Sequence, residues 1–177
     1  MNPNVNGGPD GTADEEAFRP VIEQLSYLVD ELSAQRPLFS KISDSILSER
    51  PINEEKSIKD HFLEILVREN SVNQVIVSGL ISGDLRGQSV DDLLLRKKPK
   101  ESDLASVVEI QEKISQSRRA VVELLLEAPA EAWSAYVMEK GQRRTLHEWA
   151  FRMGLEDADT LREISTMLSE IQLIFRR

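Results

Sequence analysis

Apolar residues recur at helical spacing along four stretches of the chain, and each stretch predicts one long helix. In the first, Phe18, Val21, Ile22, Leu25, Leu28, Val29 and Leu32 line one face. Pro37 is expected to kink or interrupt this helix, with Phe39, Ile42 and Ile46 continuing its face beyond. The second helix opens at Ser57, which forms a capping box with Asp60. It carries Ile58, Phe62, Ile65, Leu66, Val72, Ile76 and Leu80. Leu63, Val67 and Val75 lie on its other faces, so neighbours contact it from more than one side, and Gly79 and Gly83 mark its end. The third helix is predicted to start from Ser102 as N-cap. It runs to about Glu127 with Leu104, Val107, Val108, Ile114, Val121, Val122 and Leu125 on its face, and Pro129 stops it. Ala130–Tyr136 reads as a turn and Val137–Arg144 as a hairpin-like loop around Gly141. A second capping box, Thr145 with Glu148, opens the fourth helix, Leu146 to Phe175.

That last helix has a flaw in its apolar stripe. Leu146, Trp149, Met153, Leu161, Ile164, Leu168, Ile171 and Phe175 recur regularly, yet Asp157 and Thr160 fall within the same stripe and Glu156 on its edge. A core-facing carboxylate is costly to bury without a partner. Either the helix carries a polar site inside a helical core, or it bends or frays there. A buried Asp157 needs Arg118, Arg152, His61 or the Thr160 hydroxyl. Arg118 interrupts the third helix's stripe and is the partner of choice, against the reading of an exposed arginine whose stem covers apolar surface.

The connection from Ser82 to Glu101, with a helical turn at Asp91–Leu95, changes the topology that is open to the chain. Its twenty residues reach ~65 Å when extended, whereas a helix from Ser57 to Leu80 is only ~35 Å long. The connection can cross the whole domain, and simple up-down order is not required. Residues 1–14 are polar and rich in Gly, Pro and Asn, which predicts a disordered tail before an all-α domain over 15–177. The net charge of -9 disfavours nonspecific nucleic-acid binding. Two basic clusters, Arg96, Lys97, Lys98 with Lys100, and Lys140 with Arg143 and Arg144, read as solvated loop charge without aromatic interleaving. The absence of cysteine excludes disulfides and thiolate chemistry. No signal peptide or membrane-spanning run is visible, and the expected compartment is the cytoplasm.

No catalytic residue set is legible. His147–Phe151 begins like a zinc-protease motif, but Phe151 occupies the place of the second histidine. With only His61 and His147, a three-histidine metal site is excluded. His61 reads as a surface or boundary histidine, with a ligand role as the alternative. Trp133 and Trp149 read as packing anchors.

Two segments carry a resemblance. Ile42–Glu69 holds Ser43, Asp44, Arg50, Pro51, Ser57, Ile58, Phe62 and Ile65; Arg144–Ile164 holds Thr145, Leu146, Glu148 and Trp149. In order and spacing they resemble the DinB-like helical-bundle superfamily, over most of the chain from about Glu15. The resemblance implies a four-helix bundle with long crossover connections. In that family a divalent metal is typically held by one histidine on helix 2 and two on helix 4, the latter at i, i+4. Those positions fall here on Glu64, Glu156 and Thr160, so every family histidine is missing, and Asp157 matches a position that is often acidic. The implied protein is a binding or self-association module with a degenerate metal site and no cofactor, taking an unknown small-molecule ligand. One alternative is a metal-dependent transferase or hydrolase with a carboxylate-rich, hard-oxygen site for a divalent metal. Another is an acidic helical adaptor. Relatives often pair through bundle faces, which implies a homodimer. The candidate site residues are therefore Glu64, Glu156, Asp157, Thr160, Arg118 and His61. Glu64 and Glu156 are open to three readings: solvated charge, a polar pocket closed by ion pairs, or a pocket that holds a metal or small ligand.

Overall fold

The computed structural model describes residues 11–51, 54–94 and 105–175. Among the described residues the fold is all-α apart from one β-hairpin. Helix α1 spans Gly11–Phe39 and includes part of the expected tail; residues 1–10 lie outside the described residues. Pro37 falls in its last turn, and the helix runs through it to end at Phe39. A separate short helix, α2 (Asp44–Ser48), then puts Leu47 in the core, where the apolar spacing had pointed to Ile46.

The predicted second helix is continuous but not uniform. Helix α3 (Ile58–Arg68) opens with the Ser57–Asp60 capping box, passes into a π-helical turn at Glu69–Asn73, and continues as α4 (Gln74–Ser82). Gly83, with φ of 94°, ends it in the left-handed conformation that glycine adopts without strain. Gly79 does not end the helix. A Cβ there would lie 2.5 Å from Leu85 Cγ, so the missing side chain lets the chain fold back over α4.

The connection then runs beside the hairpin. After Gly83 it donates from Gly87 N to Tyr136 O and from Val90 N to Met138 O, and it accepts at Gln88 O from Met138 N. Helix α5 (Asp91–Leu94) follows, and Leu95 lies outside the described residues. Helix α6 spans Val107–Leu126, and its N-cap is Ser106, which forms a capping box with Glu109. The start expected at Ser102, with Leu104 on the face, lies outside the described residues; the capping geometry sits four residues later. A 3-10 turn at Ala130–Ser134 leads to strands β1 (Tyr136–Glu139) and β2 (Gln142–Thr145), paired antiparallel with Glu139 opposite Gln142. Helix α7 covers Leu146–Phe175, as the apolar stripe predicted, and shows no break at Asp157. The Phe175 side chain lies outside the described residues.

The core falls into two apolar clusters. One gathers Leu25, Ile76, Leu80, Val121, Leu125, Trp149 and Met153; the other gathers Leu32, Phe62, Ile65, Ile110, Ile114, Ile164 and Leu168. α1 and α7 therefore run from the first cluster to the second, and α3–α4 and α6 run the opposite way. Because α4 and α6 are parallel, the connection between them must recross the domain. It leaves from Val90 in the first cluster, and α6 enters at Val107 in the second. Between the clusters lies a polar layer.

Candidate functional site

The polar layer is built on Arg118, which is fully buried on α6. Its Nε donates to Glu69 Oε1 at 2.7 Å and its Nη2 to Glu69 Oε2 at 2.8 Å; Nη1 donates to Asp157 Oδ2 at 2.7 Å. A bidentate fork to one carboxylate and a single strong bond to another use the planar guanidinium fully. The chain of bonds continues outward. Asn73 Nδ2 donates to Glu69 Oε2 at 3.0 Å, and Trp149 Nε1 donates to Asn73 Oδ1 at 3.3 Å. The π-helical turn carries both Glu69 and Asn73, and both are buried. One guanidinium facing two carboxylates leaves an excess negative charge in the interior. Burial accordingly pushes the Asp157 carboxyl above its ordinary value of 3.8; Arg118 counteracts this only in part, and Glu69 adds to the rise. Burial also opposes the Arg118 charge, but Glu69 and then Asp157 outweigh it and hold that guanidinium firmly protonated.

In front of this layer, between α3, α5, β1 and α7, opens a cleft of about 330 Å³. Glu64, Arg68, Glu139, Arg152 and Glu156 supply its charged wall, and Val67, Val72, Leu94 and Trp149 its apolar one. The charged residues are cross-linked. Lys56 Nζ donates to Glu64 Oε2 at 2.8 Å, a bond that holds the ammonium pKa above its ordinary value. Arg152 Nη1 donates to Glu139 Oε2 at 2.5 Å, and its guanidinium carbon stands 4.2 Å from the Trp149 ring centre, a cation–π contact. Arg68 Nε and Arg152 Nε approach Glu156 at 3.3 and 3.5 Å. Arg68 Nη2 lies 3.5 Å from Asp157 Oδ1, and both of these buried atoms lack a hydrogen-bond partner among the described residues.

No protein-family model matches this chain. No curated protein matches it either.

The sequence-predicted residues thus divide. Glu64 and Glu156 line one cleft, and Asp157 stands behind it on Arg118, the partner its position called for. The reading of Arg118 as an exposed arginine is corrected, because the side chain is completely buried. Thr160 is only half-buried, and its hydroxyl donates to Glu156 O at 2.8 Å within the helix. His61 departs from expectation twice. It is buried, not a surface residue, and it belongs to a second cleft of about 440 Å³ with Glu54, Glu55 and Glu163, where its Nδ1 lies 3.4 Å from Glu163 Oε2.

Trp133 is a packing anchor, stacked on Phe18 at 4.3 Å. Arg143 and Arg144 lie on β2, not in a loop, and Arg143 covers the Tyr136 ring at 4.1 Å, so this basic cluster does have an aromatic partner. The Arg96–Lys100 cluster lies outside the described residues. Among the described residues no group of three or more His, Asp and Glu is placed to hold a metal ion, and no helix is long and apolar enough to cross a membrane.

Sequence reading missed Glu69, Arg68, Asn73 and Glu139, and named Arg152 as one candidate partner of Asp157, whereas it pairs with Glu139 and Glu156. One signal was present for Glu69: the stripe Ile58, Phe62, Ile65, Val72, Ile76 has a gap that position 69 fills. A charged residue in the stripe of each of three helices is a pattern that an internal ion-pair layer would explain.

Proposed function

We propose that this chain is a binding module on a DinB-like four-helix bundle, in which the cleft between α3 and α7 takes a small molecule and the family's usual metal chemistry is absent. One observation carries this reading. The two carboxylates at family ligand positions, Glu64 and Glu156, line the same cleft, yet both face cations of the protein itself. Lys56, Arg68 and Arg152 supply positive charge where a divalent ion would need only oxygen ligands, and they repel it. The Thr160 hydroxyl is turned back to its own helix. These residues do not fit a divalent metal.

The order of helix directions supports the bundle type. Parallel α4 and α6 joined by a recrossing connection match long-crossover topology and disfavour a simple up-down adaptor. A cleft near the lower end of the usual volume range for ligand pockets, mixed apolar and charged, suits a small polar ligand. Phe151 and Leu155, one turn apart on α7 and exposed, offer apolar surface for pairing as a homodimer; light scattering that shows only monomer at high concentration would count against pairing. The binding reading is tested by titrating a small-molecule fragment library into labelled protein and following the Trp149 indole resonance. Saturable shifts that Arg152→Ala abolishes are expected. A library that leaves the Trp149 resonance unmoved would overturn the reading.

A further inference from the structure

We infer that the cleft's ligand is a small zwitterion of the α-amino-acid type, with its carboxylate held by Arg68 and its ammonium by Glu156. The inference rests on the binding reading above and concerns only the chemistry of the ligand. Its basis is the contrast between two sets of ion pairs. Behind the cleft, Arg118 makes three hydrogen bonds of 2.7 to 2.8 Å. Facing the cleft, Arg68 and Arg152 approach Glu156 at only 3.3 and 3.5 Å, and behind its wall the buried Arg68 Nη2 approaches Asp157 Oδ1 at 3.5 Å. None of these three contacts is a hydrogen bond by geometry, although ionised pairs at full strength close to under 3 Å. Arg68 Nη2 and Asp157 Oδ1 have no other partner among the described residues, and Asp157 is over nine-tenths buried. Arg68 and Glu156 are each partly open to the cleft. A donor and an acceptor of opposite charge therefore stand side by side with hydrogen-bonding capacity that they do not spend on each other.

Charge balance selects the ligand class. A purely anionic or purely cationic ligand would satisfy one of the two groups and leave the other's charge unmatched in a half-enclosed site, which is costly. A molecule carrying both signs on adjacent carbons inserts between them and leaves the net charge unchanged. Val67, Val72 and Leu94 beside the pair provide an apolar wall for a side chain. The cleft's modest volume fits a single amino acid better than a peptide.

Calorimetric titration of the full chain with L-leucine, L-leucine methyl ester and N-acetyl-L-leucine tests this. Saturable binding of L-leucine is expected. The ester, which lacks the anion, and the acetyl derivative, which lacks the cation, should each bind at least tenfold more weakly. Arg68→Gln and Glu156→Gln should both weaken leucine binding by a similar factor, with circular dichroism confirming the fold of each, while the surface variant Arg162→Gln leaves it unchanged. Equal binding of all three compounds, or none, overturns the inference. If fragments of other chemistry shift the Trp149 resonance while leucine does not bind, the ligand class is wrong and the binding module stands. If nothing moves that resonance, both fall.

Discussion

Replacing Arg118 by Met tests whether the polar layer is one ionic unit. Methionine replaces the flexible stem as far as Nε, so the substitution removes the charge and every donor and vacates only the volume of the guanidinium end. It deletes three hydrogen bonds of 2.7, 2.7 and 2.8 Å and strands the carboxylates of Glu69 and Asp157, whose side chains are 1% and 6% exposed. Removing one partner of a buried pair costs about 3–5 kcal/mol. Here two carboxylates are stranded, but Arg68, 3.5 Å from Asp157, and protonation of one acid relieve part of the loss. The expected destabilisation stays within that range, a large share of a typical domain stability of ~5–15 kcal/mol. For a chain of this length the melting temperature should fall by roughly 6–20 °C. Urea and thermal unfolding at pH 7 measure it. Adding Glu69→Gln and Asp157→Asn to Arg118→Met removes the stranded charges and should recover at least half of the loss. A single Arg118→Met variant that melts within about 2 °C of the parent would refute the reasoning.

Asp157→Asn gives a pH signature: the folded-state pKa of Asp157 lies above 3.8, so the folded protein binds that proton more tightly than the unfolded chain. Stability relative to Asp157→Asn should therefore rise as pH falls through the raised pKa and level off below 3.8, and a melting temperature that falls relative to that variant on acidification contradicts this. Ser106→Ala removes the N-cap of α6 and should cost about 1 kcal/mol in urea unfolding; no measurable loss would place the helix start elsewhere. Trp149→Phe leaves Asn73 Oδ1 without its indole donor in the core and should cost ~1–3 kcal/mol, with unchanged stability as the contrary result.

Much of the helical skeleton was legible because it depends on local chemistry. The Ser57–Asp60 and Thr145–Glu148 boxes and the left-handed Gly83 announce helix ends through residues only a few positions apart. The start of α6 was misplaced although its signal was local: Ser106 has Glu109 three residues on and forms a capping box, whereas Ser102 has Ala105 there, and Asp44 Oδ1 adds a distant anchor by accepting from Val107 N at 3.0 Å. Asp157 was conspicuous because it broke an apolar stripe, and Arg118 because it broke another. Glu69 also filled a gap in its helix's stripe, but its partner Arg118 stands on another helix and the π-helical turn that carries it is not readable from the spacing. Glu139 and Arg152 could not be paired from sequence, because their contact depends on how the hairpin is laid against α7. His61 shows the same limit: Glu163, Thr166 and Met167 of α7 share its cleft, a contact that depends on how two helices distant in sequence pack.

Divalent-metal titration tests the central claim most directly, because the claim is that Lys56, Arg68 and Arg152 have taken the place of a metal at Glu64 and Glu156. Protein purified in the presence of a chelator, then dialysed, is titrated calorimetrically with Mn, Zn and Ni at micromolar concentration and pH 7. No saturable binding is expected for any of the three, and the same for Glu156→Ala. Stoichiometric, tight binding of one metal that Glu156→Ala abolishes would contradict the claim and restore a carboxylate metal centre to this cleft.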